Sequence, residues 1–169
     1  AAAASLSRGK GDQDGELKVR HLNEEFDDLK ESLEAEIIPE AQRKKAHKAK
    51  RKQEKLEAKQ KKKAGTEDKI LPRLFVLDFN GDVQASDVDH MRREITAILQ
   101  VATQDDEVLV RLESPGGLVH SYGLASSQLR RIRNQGIKLT VAVDQVAASG
   151  GYMMACIADR IVAAPFAII

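Results

Sequence analysis

The stretch of sequence that decides the fold is LFVLDF at residues 74–79, an apolar run with the length of one buried strand. Two runs of the same kind follow, VLVRL at 108–112 and LTVAV at 139–143, and a fourth, RIV, begins at Arg160. Strands that are apolar along both faces are typical of a parallel sheet. Because segments with helical spacing separate the four runs, we predict an α/β fold with a mostly parallel sheet covered on both sides.

The connecting segments carry apolar residues three and four positions apart, which is the spacing of one face of a helix. We expect Ser86 to cap the first helix, and a third, short helix to lie around residues 152–158. Within that short helix Cys156 would be a small buried apolar residue, and as the single cysteine it excludes a disulfide framework. The inner face of the first helix would be Val88, Met91, Ile95, Ile98 and Leu99, and that of the second Leu118, Tyr122, Ala125, Leu129 and Ile132.

The chain before the first strand has a different composition. Residues 1–22 are rich in small and charged residues, which predicts a linker or the end of a membrane anchor. The net charge of +1 over 169 residues hides an asymmetry, because residues 12–40 carry eleven acids and three bases and residues 43–63 carry twelve bases and two acids. We therefore expect residues 23–65 to form an acidic amphipathic helix followed by a Lys-rich arm.

The Lys-rich arm has only one large apolar residue, Leu56, so it should be a solvated helix or a disordered arm. Its clusters of bases could bind nucleic acid or anionic lipid. Because no aromatic residues are interleaved for base stacking, a solvated spacer is favoured over either ligand, and nucleic acid is not expected. The acidic helix before it ends at Pro39 and carries an apolar stripe of Leu22, Phe26, Leu29, Leu33 and Ile37.

Both ends of the chain suggest a piece of a longer protein. The sequence starts with AAAAS, without Met, and stops within the apolar run AAPFAII at residues 163–169. No stretch reaches the ~20 apolar residues of a spanning helix, and no segment resembles a signal peptide. We expect residues 72–169 to be the front part of a larger domain, and we leave open a membrane anchor upstream of Ala1.

Two turns have the composition of an anion-binding site. ESPGG at residues 113–117 follows the second strand, and VAASGG at residues 146–151 follows the third. The carboxyl ends of parallel strands share one edge of a sheet, where functional groups collect. Each turn places paired glycines at the start of a helix, where unpaired backbone N–H groups favour negative charge.

Ser149 lies in the second turn between residues with little or no side chain. An acyl group could approach its hydroxyl closely, and the N–H of Gly150 could face a developing oxyanion. Gly116 and Gly117 in the first turn could supply the opposing N–H. Alternatively Ser149 only caps the following helix, which is the commoner role of a serine at such a position.

A serine nucleophile needs a base, yet no His and no Lys follows Ser149. The upstream candidates are His90, His120 and Lys138. We expect His90 to be exposed and Lys138 to lie at the opposite end of a strand from the site. His120, one turn into the second helix, could approach Ser149, although a solvated or capping role is commoner for an isolated histidine.

The pairing of the ESPGG turn with AASGGYMMA at residues 147–155 resembles the signal peptide peptidase A family of bacterial serine proteases. The acidic helix and the Lys-rich arm are similar to the amino-terminal region of its SohB-type branch. The resemblance implies a ClpP/crotonase-like fold of repeated ββα units, assembly into homo-oligomeric rings and an amino-terminal membrane anchor. It implies Ser149 as the nucleophile, Gly116, Gly117 and Gly150 as the oxyanion hole, and a lysine located beyond Ile169 as the general base.

The function implied by the resemblance is cleavage of peptides or membrane-protein fragments by a Ser/Lys pair, and we expect no cofactor and no metal ion. Two alternatives stay open: a crotonase-type acyl-CoA enzyme that uses the same amides without the serine, and a non-catalytic membrane scaffold that only oligomerises. The resemblance implies a bacterial inner membrane with the protease domain on the periplasmic side. The many bases close to an anchor favour the cytoplasmic side instead, so the side stays open.

Overall fold

The structure is a computed structural model that describes residues 2–6, 17–63 and 71–169. The chain divides into a sheet unit and a helical unit. The sheet unit comprises Ala1–His21 and Pro72–Ile169, and the helical unit comprises Leu22–Leu71. The strands are β1 (Ala2–Leu6), β2 (Val19–His21), β3 (Arg73–Asn80), β4 (Glu107–Glu113), β5 (Lys138–Val143) and β6 (Arg160–Ala163). The helices are α1 (Leu22–Ile37), α2 (Glu40–Lys63), α3 (Val88–Val101), α4 (Val119–Asn134) and α5 (Gly150–Ala155).

The sheet has the strand order β2-β1-β3-β4-β5-β6. All neighbouring strands are parallel except β1 and β2, which are antiparallel. The four strands predicted from the apolar runs are β3 to β6, and single helices connect them. The predicted α/β fold with a mostly parallel sheet is therefore confirmed.

One row of residues across the sheet faces the core and the next row faces away from it. Leu77, Val110 and Val141 lie opposite one another on β3, β4 and β5, and all three are fully buried. They belong to one apolar core with residues of α3, α4 and α5. In the next row Arg111 donates two hydrogen bonds to the Asp78 carboxylate, at 2.5 and 2.7 Å, so the second face is polar here and not apolar as expected.

A carboxylate closes the turn that leads into α3. Asp82 Oδ1 accepts hydrogen bonds from the backbone N–H groups of Gln84 at 3.1 Å and Ser86 at 2.9 Å, and Oδ2 accepts one from the Ser86 hydroxyl at 2.8 Å. The bonds from Ser86, above all the backbone one, lower the pKa of Asp82 from its ordinary value. The prediction that Ser86 caps α3 is wrong, because its hydroxyl binds Asp82 and the N-cap residue is Asp87.

Helix α5 begins earlier and is shorter than predicted. It starts directly after Ser149, and its buried side chains are Met154 and Ala155. Cys156 follows its last turn and is exposed, so the prediction of a buried cysteine is wrong. The physical reason is that the short helix has one inward face, which Met154 and Ala155 already occupy.

Short bridged segments extend the sheet beyond β4 and β5. Ser114 pairs with Ala147, and Val146 pairs with Ile168, both in parallel orientation. Each of these two strands is thus followed by a second extended segment before the chain continues. This arrangement agrees with the ββα units of the expected ClpP/crotonase-like fold.

The amino-terminal residues contain strands where a linker was expected. β1 lies parallel to β3, and β2 pairs with β1. The linker prediction for residues 1–22 therefore fails at Ala2–Leu6 and Val19–His21, while residues 7–16 lie outside the described residues. A free sheet edge offers backbone hydrogen bonds to any chain, so this pairing needs no apolar side-chain pattern.

Two helices occupy the stretch where the acidic helix and the Lys-rich arm were expected, and residues 64–70 lie outside the described residues. The apolar stripe of α1 is exposed, with 64% of the Phe26 surface and 63% of the Leu33 surface accessible. Within the described ranges, no helix combines the length and the apolar composition needed to cross a membrane.

Candidate functional site

The two glycine turns lie side by side at the carboxyl edge of the sheet. The N–H of Ser114 donates to the carbonyl of Val146 at 2.9 Å, and the N–H of Ala148 donates to the carbonyl of Ser114 at 3.0 Å. Between these bonds Ala147 is fully buried. The turns after β4 and β5 are therefore in direct hydrogen-bonded contact, as their position after neighbouring parallel strands predicts.

A third segment, residues 81–83, braces the first turn. The N–H of Gly81 donates to the carbonyl of Glu113 at 2.8 Å, and the N–H of Leu118 donates to the carbonyl of Val83 at 2.8 Å. A side chain at Gly117 would run into the Val83 backbone, so only glycine allows this close approach. No pattern in the sequence predicts that residues 81–83 lie at the site, because their partners Glu113 and Leu118 are more than 30 residues away along the chain.

Ser149 occupies a strained turn between β5 and α5. Its φ of +52° and ψ of −114° lie in a region that non-glycine residues rarely adopt, at a cost of about 1 to 3 kcal/mol. The residue is exposed, and its side chain makes no capping hydrogen bond to α5. Ser149 is thus the N-cap residue of α5 by position, but its side chain does not cap the helix. A strained strand-to-helix turn is also the setting in which the nucleophilic serines of α/β hydrolases present their hydroxyl.

Gly116 lies against Ser149 with no room for a side chain. A Cβ added at Gly116 would be 2.6 Å from Ser149 Cβ, 2.8 Å from the carbonyl oxygen of Ala148 and 2.9 Å from the nitrogen of Gly150. Its φ of +91° also favours glycine. The ESPGG turn is therefore within contact distance of the serine and of the amide that follows it.

The structure narrows the set of amides that could form an oxyanion hole. The N–H of Gly116 donates to Ser114 Oγ at 3.0 Å and is not available to a ligand. In the described part of the chain, neither the N–H of Gly117 nor that of Gly150 has an acceptor. Of the three candidate glycines, Gly117 and Gly150 thus carry the free donors, and Gly116 provides the space between them.

No base contacts the serine in the described part of the chain. Lys138 begins β5, whose six residues at about 3.3 Å each separate it from the site, as predicted. His90 is half-buried, and its Nε2 lies 3.0 Å from Glu94 Oε1, so the prediction that it is exposed is wrong. His120 is exposed at the start of α4, and no hydrogen bond joins it to Ser149.

Tyr122 is a residue of the site that sequence reasoning assigned only to the core. It is fully buried in α4, and its ring packs edge-on against Phe79 with 6.4 Å between the ring centroids. A Cβ at Gly150 would lie 2.7 Å from its ring carbon Cδ2, so the ring touches the backbone of the turn that carries Ser149. The feature of the sequence that could have identified Tyr122 is a tyrosine on the inner face of the helix that directly follows the ESPGG turn.

Among residues 2–6, 17–63 and 71–169, no cluster of three or more His, Cys, Asp or Glu side chains could hold a metal ion. The free donors at the two turns are neutral amides, which suit an oxyanion. The arrangement can therefore present one hydroxyl to a carbonyl group and stabilise negative charge on the carbonyl oxygen.

Comparison with known proteins gives a consistent result over the whole chain. Residues 1–129 match the family model described as "Peptidase family S49 N-terminal", and residues 131–169 match "Peptidase family S49". A probable protease SohB of Haemophilus influenzae is 54% identical over 164 residues, which cover 92% of this chain and 45% of the relative. A probable protease SohB of Buchnera aphidicola is 67% identical over 97 residues, which cover 57% of this chain and 29% of the relative. The chain spans less than half the length of these relatives.

Proposed function

Because the chain belongs to peptidase family S49, we propose that it supplies the nucleophile and the oxyanion hole of a serine endopeptidase of the signal peptide peptidase type. The observation that carries this proposal is the exposed Ser149 on a strained turn, beside the free amide of Gly150 and in contact with Gly116, which directly precedes the free amide of Gly117. The names of the similar proteins, which describe them as proteases, support the same activity.

The proposed reaction begins when Ser149 Oγ attacks the carbonyl carbon of a peptide bond and gives its proton to a base. The carbonyl oxygen becomes an oxyanion that accepts hydrogen bonds from the Gly117 and Gly150 amides, each worth about 3 kcal/mol in the transition state. The intermediate then expels the amine, which takes the proton from the base, and leaves an acyl-enzyme on Ser149. Water, deprotonated by the same base, attacks the ester and restores the serine.

The base in this proposal is a lysine in the part of the relatives' length that this chain does not span. A lysine can accept a proton near neutral pH only when burial or a neighbouring positive charge lowers its pKa by several units. The lack of any His or Lys contact to Ser149 in the described residues supports a base from elsewhere in the protein. The 169 residues alone are accordingly expected not to cleave peptides.

The substrates we propose are peptides and membrane-protein fragments, cleaved by a homo-oligomeric ring anchored in a bacterial inner membrane. The family resemblance supports this assignment, and it favours the periplasmic side for the protease domain. The run of bases at residues 43–63 favours the cytoplasmic side. Protease digestion of intact cells and of spheroplasts distinguishes the two sides, because only a periplasmic domain becomes accessible when the outer membrane is removed.

The proposal is tested by cleavage of a fluorogenic peptide by the full-length protein and its Ser149→Ala variant. Ser127→Ala is the matched control, since Ser127 is an exposed serine of α4 whose hydroxyl donates to the Leu124 carbonyl and accepts a hydrogen bond from Gln128 Nε2, both on the same helix. We expect Ser149→Ala to lose all measurable cleavage and Ser127→Ala to keep it. Serine-dependent cleavage by the 169 residues alone would refute the lysine assignment and favour His120.

A further inference from the structure

A series of hydrogen bonds with a fixed direction joins the ESPGG turn to Tyr122 and Asp82. The Tyr122 hydroxyl donates to the carbonyl oxygen of Asp82 at 2.7 Å, and Ser114 Oγ lies 2.5 Å from the Tyr122 oxygen. A phenol has one proton, which the Asp82 carbonyl accepts, so Ser114 must donate to Tyr122. The lone pairs of Ser114 Oγ then accept the N–H of Gly116 at 3.0 Å.

This series of hydrogen bonds fixes the orientation of the ESPGG turn. The Gly116 amide is held toward Ser114 Oγ, inside the protein, where Ser114 is fully buried. The neighbouring amide of Gly117 has no acceptor among the described residues. Without an acceptor at Ser114, the flexible glycine pair would have no side-chain bond to hold this arrangement.

Tyr122 also contacts the second turn, because a Cβ at Gly150 would meet its ring. A Cβ at Gly81 would lie 2.5 Å from Ser114 Oγ and would also meet the Tyr122 hydroxyl. One side chain therefore supports both segments that carry the free amides: its hydroxyl through Ser114 and Gly116, and its ring through Gly150.

We propose that Tyr122 and Ser114 are positioning residues that set the distance and direction of the Gly117 and Gly150 amides toward the oxyanion. The inference rests on the proposed function, since it assigns these residues to the same reaction. Tyr122 and Ser114 touch the segments that carry the amides and not the substrate, so they act on the reaction through those amides. Their effect on the transition state is separate from their contribution to folding.

The test compares the full-length protein with its Tyr122→Phe, Ser114→Ala and doubly substituted variants. Removal of a whole oxyanion donor lowers kcat by about 100- to 1000-fold, so misorientation should lower it by roughly 10- to 100-fold. We expect KM to change less than threefold. We expect the affinity for a peptide boronate, which mimics the tetrahedral intermediate, to fall by the same factor as kcat/KM. Because both residues belong to one chain of bonds, the double variant should lose little more than the worse single variant.

A purely structural role gives a different result. If Tyr122 and Ser114 only stabilise the fold, the variants should contain less folded protein, but the folded fraction should keep the kcat and the boronate affinity of the parent. That result would overturn the inference, and so would activities within twofold of the parent. Peptide affinity in the Ser149→Ala background should stay unchanged on adding Tyr122→Phe. If Tyr122→Phe does not fold, the kinetics of Ser114→Ala test the inference, because this variant keeps the aromatic ring. Failure of the proposed function is recognised separately, because the parent protein itself would then show no Ser149-dependent cleavage.

Discussion

Helices α1 and α3 share the same apolar spacing but differ in their surroundings. On α1, Phe26 and Leu33 expose 64% and 63% of their surface, whereas Met91 and Ile95 of α3 are fully buried. The spacing predicts a helix in both cases, but burial depends on neighbouring elements that spacing does not identify. The same kind of substitution should therefore change stability or activity more at a packed position than at an exposed one. Matched pairs of substitutions, one at each kind of position, measure that difference.

The largest effect is expected when a methyl group is added to a packed glycine. Gly116→Ala places a carbon 2.6 Å from Ser149 Cβ and forces a φ of +91° on alanine. We predict at least a 100-fold loss of kcat/KM in the full-length protein, comparable to losing an oxyanion donor. Gly123→Ala is the matched control, because a Cβ there has no neighbour within 4 Å, and it should stabilise α4 by about 0.5 to 1 kcal/mol. Equal kinetics for the two variants would contradict the assigned geometry.

A second, smaller effect is expected from removing apolar side chains. Ile95→Ala should lower the free energy of unfolding by about 2 to 5 kcal/mol, because it leaves a cavity in the core. Leu33→Ala should change it by less than about 0.5 kcal/mol, since the side chain is exposed. Denaturant titration of the full-length variants measures both values. A large loss at Leu33 would show that another part of the assembled protein covers the stripe of α1.

The smallest effect concerns a buried carboxyl group on α3. Burial, followed by the charges of Asp87 and Asp78, raises the pKa of Glu94 from 4.5 to about 8. Between these values the folded state holds a proton that the unfolded state has lost, so the free energy of unfolding falls as the pH rises through this window. One carboxyl oxygen, Oε1, lies 3.0 Å from His90 Nε2, and Oε2 has no partner in the described part of the chain.

Glu94→Gln should remove this pH dependence, because the amide stays neutral at every pH in the window. From pH 5 towards pH 8 the parent should lose up to about 1.4 kcal/mol of stability per pH unit and the variant should not, because the amide has no proton to release. Glu34→Gln on the open helix α1 is the control, and it should leave the slope of stability against pH unchanged. Denaturant midpoints between pH 5 and pH 8 provide the measurement, and parallel curves for Glu94→Gln and the parent would show the raised pKa to be wrong.

The sequence predicts the main strands and helices because their apolar residues repeat with a clear period. The run at residues 74–79 lies within β3, and the glycine pairs locate both turns of the site. The strand β1 was not predictable, since its alanines have no strand pattern and it forms by pairing with the edge of β3. Ser86 was predicted wrongly for another reason, because its hydroxyl donates to the Asp82 carboxylate, whereas the oxygen of a capping serine accepts a hydrogen bond from a helix N–H.

The candidate site was predicted less completely than the fold. The order of the two turns identifies Ser149 and the glycines, but the strained φ of the serine and the use of the Gly116 amide are visible only in three dimensions. Tyr122 lies 40 residues from Asp82 along the chain, so no local pattern could indicate that they share a hydrogen bond. Contacts over such separations depend on strand order, which sequence spacing does not supply.

The most direct test of the proposed nucleophile is the reaction of the full-length protein with a serine-directed peptidyl phosphonate, followed by mass mapping of the adduct. The account predicts one adduct per chain on the peptide that contains Ser149, and none in the Ser149→Ala variant. An adduct on another serine, or cleavage of peptides by Ser149→Ala at the parent's rate, would contradict it.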